Sequence, residues 1–164
     1  MVTLRPRAPE DDAAITALTM AAFGTGPADE AAIITGVRAE GAALVELVAV
    51  EDDEIVGHVL FNRMRCDPPA DIAGLAPVSV SPARQGAGIG DALIRAGLAA
   101  CRDLGSTGAV VLGHPDYYPR FGFSRDAALP LQCRYSASPA FMAAALTPGG
   151  LAGVRAVAYP HAFD

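Results

Sequence analysis

The sequence contains no lysine; all 12 of its basic residues are arginine. Schiff-base chemistry, which needs an amine nucleophile, is therefore excluded, and so is a Walker-type phosphate loop, whose lysine reaches the phosphates. Cysteine is sparse and scattered, at Cys66, Cys101 and Cys133. No pair among them has metal-ligand spacing, and three distant thiols fit reduced, buried side chains in a cytoplasmic protein. A basic stripe is missing too: 12 basic against 18 acidic residues leave a net charge of −6, which argues against a nucleic-acid footprint. A local anion site remains open, because a few oriented backbone amides can hold a phosphate inside an acidic protein. The first residues lack the apolar stretch of a signal peptide. The longest uncharged run, 135–154, is broken by Pro139, Pro148, Gly149, Gly150 and Gly153 and cannot span a membrane. The expectation is a soluble, cytoplasmic protein with no metal, membrane or nucleic-acid partner.

What is present points to one α/β domain, residues 1–164, with 52% hydrophobic and 18% charged residues. Residues 3–5 suit a first strand. Pro9, Glu10, Asp11 and Asp12 open a helix that carries Ile15, Leu18, Ala22 and Phe23 on one face and ends at Gly24-Thr25-Gly26-Pro27. A second helix is predicted over 29–40, with Ile33, Ile34 and Val37 inward. The runs 43–51 and 55–66 are β-rich, joined as a hairpin at Asp52-Asp53-Glu54. Residues 75–81 form another strand, in which Pro77 removes a ladder donor and fits only an edge, a bulge or a splayed position. A glycine loop then opens a long helix ending near Leu104, followed by a strand over 109–112 and a brief helix over 115–121. Residues 132–135 and 154–159 are weaker strand candidates, and the apolar stretch 139–151 reads as pocket wall, dimer contact or core.

The most informative segment is that loop, Gln85-Gly86-Ala87-Gly88-Ile89-Gly90-Asp91, which follows a strand containing Val78 and Val80. Alternating glycines let the backbone approach a bulky ligand, and the first turn of a helix offers N–H groups with no intrahelical partner. Charge-assisted bonds from such amides are worth about 1.5–3 kcal/mol each, so two or three hold a pyrophosphate without lysine. The dinucleotide fingerprint GxGxxG fails in both registers, because Asp91 or Leu93 stands where its last glycine belongs.

The pattern Gln85-x-x-Gly88-x-Gly90 resembles motif A of the GNAT superfamily of N-acetyltransferases, and Tyr118-x-x-x-Gly122-Phe123 resembles motif B. With Gly57-His58 and Leu75-Ala76-Pro77 upstream, the chain looks like the YhbS-like branch, the likeness reaching more weakly to Tyr159-Pro160 and Phe163-Asp164. The resemblance implies a mixed, mostly antiparallel sheet with flanking helices and a splayed central strand pair. It implies acetyl-CoA as cosubstrate: Val78 and Val80 would pair with the pantetheine arm, and Gln85, Gly86, Ala87, Gly88, Ile89, Gly90 and Asp91 would wrap the pyrophosphate. Arg84 is a further phosphate candidate. The acetyl group would pass directly to a primary amine of a small molecule or peptide, with Tyr118 as the acid that protonates the leaving thiolate and Tyr117 as the alternate.

A general base is harder to place. Family members often carry a carboxylate on the fourth strand, and here Gly74-Leu75-Ala76-Pro77-Val78-Ser79-Val80 has none. Glu30, Glu46, His58, Asp116 and bulk water are the candidates. Glu46 shares a face with Leu44, Val48 and Val50, so its charge needs a partner if that face is buried. A lone strand histidine such as His58 is more often a hydrogen-bonded core residue than a base. The missing carboxylate keeps a second reading open, an acyl-CoA-binding sensor or structural protein of the same fold. A nucleotide-binding domain is a third. Monomer and homodimer both remain possible.

Overall fold

The computed structural model describes residues 1–24 and 29–164; the proposed end of the first helix at Thr25-Gly26-Pro27 lies outside the described residues. The described residues form eight strands and four α-helices. They are β1 (Thr3–Pro6), α1 (Asp12–Phe23), α2 (Glu30–Ala39), β2 (Ala43–Glu51), β3 (Glu54–Arg63), β4 (Arg65–Asp67), β5 (Ile72–Val80), α3 (Ile89–Asp103), β6 (Gly108–Leu112), α4 (Arg125–Ala128), β7 (Phe141–Ala145) and β8 (Ala156–Ala158). Six strands form one sheet in the order β1-β2-β3-β5-β6-β7, and β4 pairs with β8 in a separate ribbon. Every neighbouring pair in the large sheet is antiparallel except β5 and β6. The expected mixed, mostly antiparallel architecture is the one found.

Local chemistry explains most boundaries. Asp52 and Asp53 both take positive φ, 50° and 63°, as a two-residue turn with the twist of a hairpin requires. Asp29 caps α2, its carboxylate accepting the N–H of Ala32 at 3.0 Å. Arg5 pairs with Asp11 and Arg7 with Asp12, both bidentately, which fastens the entry of α1 to the end of β1.

Both faces of the sheet are covered. α3 lies on one face over Val59, Phe61, Leu75 and Val111, with Leu93, Ile94 and Cys101 turned inward. Its approach is close because Gly97 carries no side chain: a Cβ there would sit 2.9 Å from two atoms of the Phe61 ring. α1 and α2 cover the other face through Ile15, Ile34 and Val37, packed on Val48 and Leu60. Fully burying side chains such as these contributes about 1.5–3 kcal/mol each.

Three expectations need correction. The run 55–66 is not one strand: the chain leaves the sheet at Met64, and Cys66 pairs with Val157 of β8. Residues 132–135 form no strand beyond a single bridge from Gln132 to Ala156, whereas 141–145, read as an apolar wall, is the edge strand β7. The brief helix over 115–121 shrinks to a 3-10 turn, Tyr118–Phe121.

Candidate active site

The site begins where β5 and β6 stop pairing. Their parallel register runs from Ile72 and Gly108 to Leu75 and Val111, while β5 continues to Val80. Pro77, which has no N–H to offer, stands just past that last pair. On its other edge β5 stays bonded to β3. Ser81 N donates to Val56 O at 2.8 Å, which makes Gly57 and Val80 a non-hydrogen-bonded pair and His58 and Ser79 a pair that exchanges both bonds. The N–H and C=O groups of Val78 and Val80 therefore point the opposite way, into the opening between β5 and β6. The Val80 carbonyl accepts the Gln85 side-chain amide at 3.2 Å.

β5 leads into the glycine loop. Gly88 caps α3 in the left-handed region, φ 83°, which a side-chain-bearing residue adopts only with strain. The first intrahelical bond runs from Ala92 N to Gly88 O at 3.1 Å, so the amides of Ile89, Gly90 and Asp91 have no intrahelical acceptor. They border a depression of about 390 Å³ lined by Val80, Gln85, Gly86, Gly88 and Arg120 among others. Of the loop residues named from sequence, Ala87 alone does not line it. Arg84 lines it but spends its Nε on Glu51, at 2.5 Å. The Asp91 carboxylate accepts the Tyr117 hydroxyl at 2.5 Å, and Arg120 lies 3.7 Å away with its guanidinium stacked 4.4 Å above the Tyr117 ring. Burial first, and the Asp91 bond second, push the Tyr117 phenol well above its ordinary value. Tyr117 and Arg120 thus tether the Asp91 carboxylate at the edge of the depression.

Beyond Val78 the opening widens into a cavity of about 450 Å³ that also touches Tyr117. β5 supplies Leu75, Pro77 and Val78; the turn after β6 supplies His114 and Tyr118. Opposite them stand Phe23, Glu30 and Ile33 from α1 and α2, with Phe163 of the C-terminal turn. Tyr118 is 8% exposed, its ring edge-on to Tyr117 at 5.0 Å and to Phe123 at 6.1 Å. Gly113 makes room for it: a Cβ there would lie 2.8 Å from Cδ2 and closer still to Cε2. Burial raises the Tyr118 phenol above the usual tyrosine range, so it stays protonated at neutral pH.

The four side-chain base candidates separate clearly. Glu46 is clasped by Arg38 at 2.9 and 2.6 Å and by His58 Nε2 at 2.7 Å. Burial opposes its ionisation, but Arg38 and His58 outweigh that and hold the carboxyl at about 2. His58 is wholly buried beneath α1 and α2, and neither residue lines the cavity. Asp116 is exposed and outside the cavity as well. Glu30 is half-buried and lines it, and among the described residues it has no hydrogen-bond or ion-pair partner. Sequence reasoning missed Phe23, Ile33 and Phe163 as walls of one cavity, because no local pattern joins residues so far apart. Arg38 was missed as the partner of Glu46 for the same reason. Cys101 is buried and its thiol is pushed up to about 12, and Cys133 packs beside Tyr159 instead of the cavity.

A profile of the Acetyltransferase (GNAT) family matches residues 14–123, which spans both the opening strand and the glycine loop. The chain belongs to the GNAT family. Among its GNAT relatives is the uncharacterized N-acetyltransferase YhbS of Escherichia coli, 30% identical over 96% of this chain and 95% of that protein. The crystal structure of Escherichia coli YhbS in complex with CoA superposes with a TM-score of 0.89, covering 99% of this chain and 91% of that one. A GNAT acetyltransferase from Brucella melitensis in complex with acetyl-CoA is 38% identical, with a TM-score of 0.84 over 100% of this chain and 99% of its own. The fold class and the likeness to the YhbS-like branch are therefore established, and with them an acetyl-CoA-dependent acyltransferase. Among the described residues no helix is long and apolar enough to cross a membrane.

Proposed function

We propose that residues 1–164 act as one N-acetyltransferase domain that moves an acetyl group from acetyl-CoA directly to a primary amine. The observation that carries this is the run of main-chain groups that no neighbouring strand or helix turn uses, from Val78 and Val80 to the first turn of α3, with the buried phenol of Tyr118 at its other end. Among the described residues only the Val80 carbonyl of this run has a partner, the Gln85 side chain. Three amides at one helix N-terminus, with the positive end of the helix dipole behind them, suit a diphosphate. Val78 and Val80 offer the donors and acceptors that an amide-bearing arm needs along the open edge of β5. On this reading the thioester lies in the cavity beside Tyr118.

The amine nitrogen attacks the thioester carbonyl carbon, the C–S bond breaks and the C–N bond forms. The Val78 N–H stabilises the charge that grows on the carbonyl oxygen. Tyr118 gives its hydroxyl proton to the departing sulfur and regains one from solvent. Glu30, the one side-chain base candidate that lines the cavity, draws in the ammonium and relays one of its protons to water before attack; a second proton leaves the nitrogen to water as the amide forms. The products are the N-acetyl amine and CoA thiol.

Thiol release with an amine panel, alongside calorimetry of acetyl-CoA binding, tests the assignment. Tyr118→Phe should lower kcat by about 100-fold or more while leaving the cofactor dissociation constant within a few-fold. Unchanged kcat in that variant removes Tyr118 from the reaction. Saturable binding with no turnover on any amine would favour the sensor reading, and absence of binding at millimolar concentration ends both.

A further inference from the structure

Resting on the proposed transferase reading, we infer that the acceptor is a primary monoamine carried on an apolar, uncharged body, not an amino acid, a polyamine or a carboxylate-bearing metabolite. The inference comes from what faces the acceptor half of the cavity. Leu75 and Val78 on β5, with Gly113, His114 and Tyr118 after β6, flank the end of the open strand edge and so take the thioester. Of the remaining lining, Phe23, Ile33, Pro77 and Phe163 are hydrocarbon or aromatic, and Glu30 is the one carboxylate among the described residues; these we assign to the acceptor.

Charge bookkeeping in this space is unusually clean. No arginine lines the cavity among the described residues, and the sequence has no lysine to supply instead. The neighbouring stretch Thr25-Gly26-Pro27-Ala28 contains no ionisable side chain and can add no charge of either sign. Arg38, the one cation of α2, is engaged by Asp12 and Glu46 and does not line the cavity. An acceptor carboxylate would thus meet Glu30 and apolar surface, with no arginine and only the exposed His114 to pair with it, and holding a charge there without a firm partner is costly. A second ammonium fares no better, since Glu30 can pair with one. A single ammonium finds Glu30, the one carboxylate among the described lining residues, and its hydrocarbon portion finds Phe23, Ile33 and Phe163. Burying that portion is the main attraction available, as in most small-molecule sites.

Four probes separate the possibilities: 2-phenylethylamine, phenylalanine and phenylalaninamide, which share one aromatic body, and the smaller 1,4-diaminobutane, each assayed for thiol release at saturating acetyl-CoA. The expected order puts 2-phenylethylamine first, with kcat/KM about 100-fold above phenylalanine and above the diamine. Phenylalaninamide, which keeps the extra group but not its charge, should recover to within about tenfold of 2-phenylethylamine. Glu30→Gln should lower the 2-phenylethylamine value and shrink its advantage over phenylalanine at least tenfold, a change of preference that a loss of folding would not produce. Phenylalanine or the diamine equalling 2-phenylethylamine overturns the inference, the former pointing to His114 as the carboxylate's partner. Turnover of none of the four, in protein whose melting temperature acetyl-CoA still raises, overturns it too and leaves the cofactor reading intact. Failure of acetyl-CoA to bind would instead sink the reading on which it rests.

Discussion

Replacing Gly113 with alanine puts a methyl group where the Tyr118 ring already stands. The new Cβ would lie 2.8 Å from Cδ2 and 3.2 Å from Cζ, with Cε2 nearer than either. Carbon atoms in comfortable contact sit about 3.5–4.0 Å apart, so the ring must retreat by roughly 1 Å. The backbone cannot yield in its place without losing the bond from Gly113 N to Ala140 O, 3.0 Å long, which joins this turn to the segment before β7. Gly113 does not occupy the left-handed region, so alanine suits its main chain and the effect is one of crowding. Overpacking of this kind costs about 1–3 kcal/mol of stability, and displacing a reacting group by 1 Å can cost about 100-fold in rate. Gly113→Ala is therefore expected to remain folded, to bind acetyl-CoA normally by calorimetry, and to lose about 100-fold in kcat. The double variant with Tyr118→Phe decides the cause. If Gly113 acts by seating the phenol, the double variant is no slower than Tyr118→Phe alone. Losses that multiply, or a Gly113→Ala enzyme with full kcat, refute the reasoning.

The raised Tyr118 phenol has a consequence for pH: its protonated form persists past the ordinary tyrosine value of about 10, so the alkaline fall of kcat should begin only above that, and a pH–rate profile falling near pH 8 for loss of the acid contradicts it. Glu46 makes a stability prediction. Its carboxyl is held at about 2 in the fold against an ordinary 4.5, so its contribution is complete above pH 4.5 and drains away as pH falls toward 2. That difference corresponds to stabilisation on the order of 3 kcal/mol. Urea unfolding should show Glu46→Gln less stable than the parent by that order at pH 6, with the gap narrowing at pH 3; a gap that does not change would refute the ionic origin.

Local signals were legible and distant ones were not. The paired aspartates at 52 and 53 announced their hairpin, and the glycines from 86 to 90 announced the loop before α3, because each acts through its own backbone. Tyr118 was visible through its spacing to Gly122-Phe123, a turn four residues long. β7 escaped because Phe-Met-Ala-Ala-Ala is rich in helix formers and nearly all buried, so it lacks the alternation that marks a half-exposed strand. The departure of the chain at Met64 escaped because an uninterrupted β-rich run carries no mark of which sheet its second half joins. Glu46 was a half-success: its place on an apolar face implied a partner, but Arg38 reaches it from a helix, which no strand pattern encodes. The cavity's far wall depends on α1, α2 and the last turn converging, and that is a property of the finished packing alone.

The open edge of β5 has a consequence for how such a protein changes over time. Under the proposed function, donor recognition there would rest on peptide groups, which nearly every substitution leaves in place, whereas acceptor recognition would rest on a few side chains at positions 23, 30, 33 and 163. The two halves can drift independently: exchanging those few side chains would retarget the catalyst to another amine while its acyl supply stays untouched.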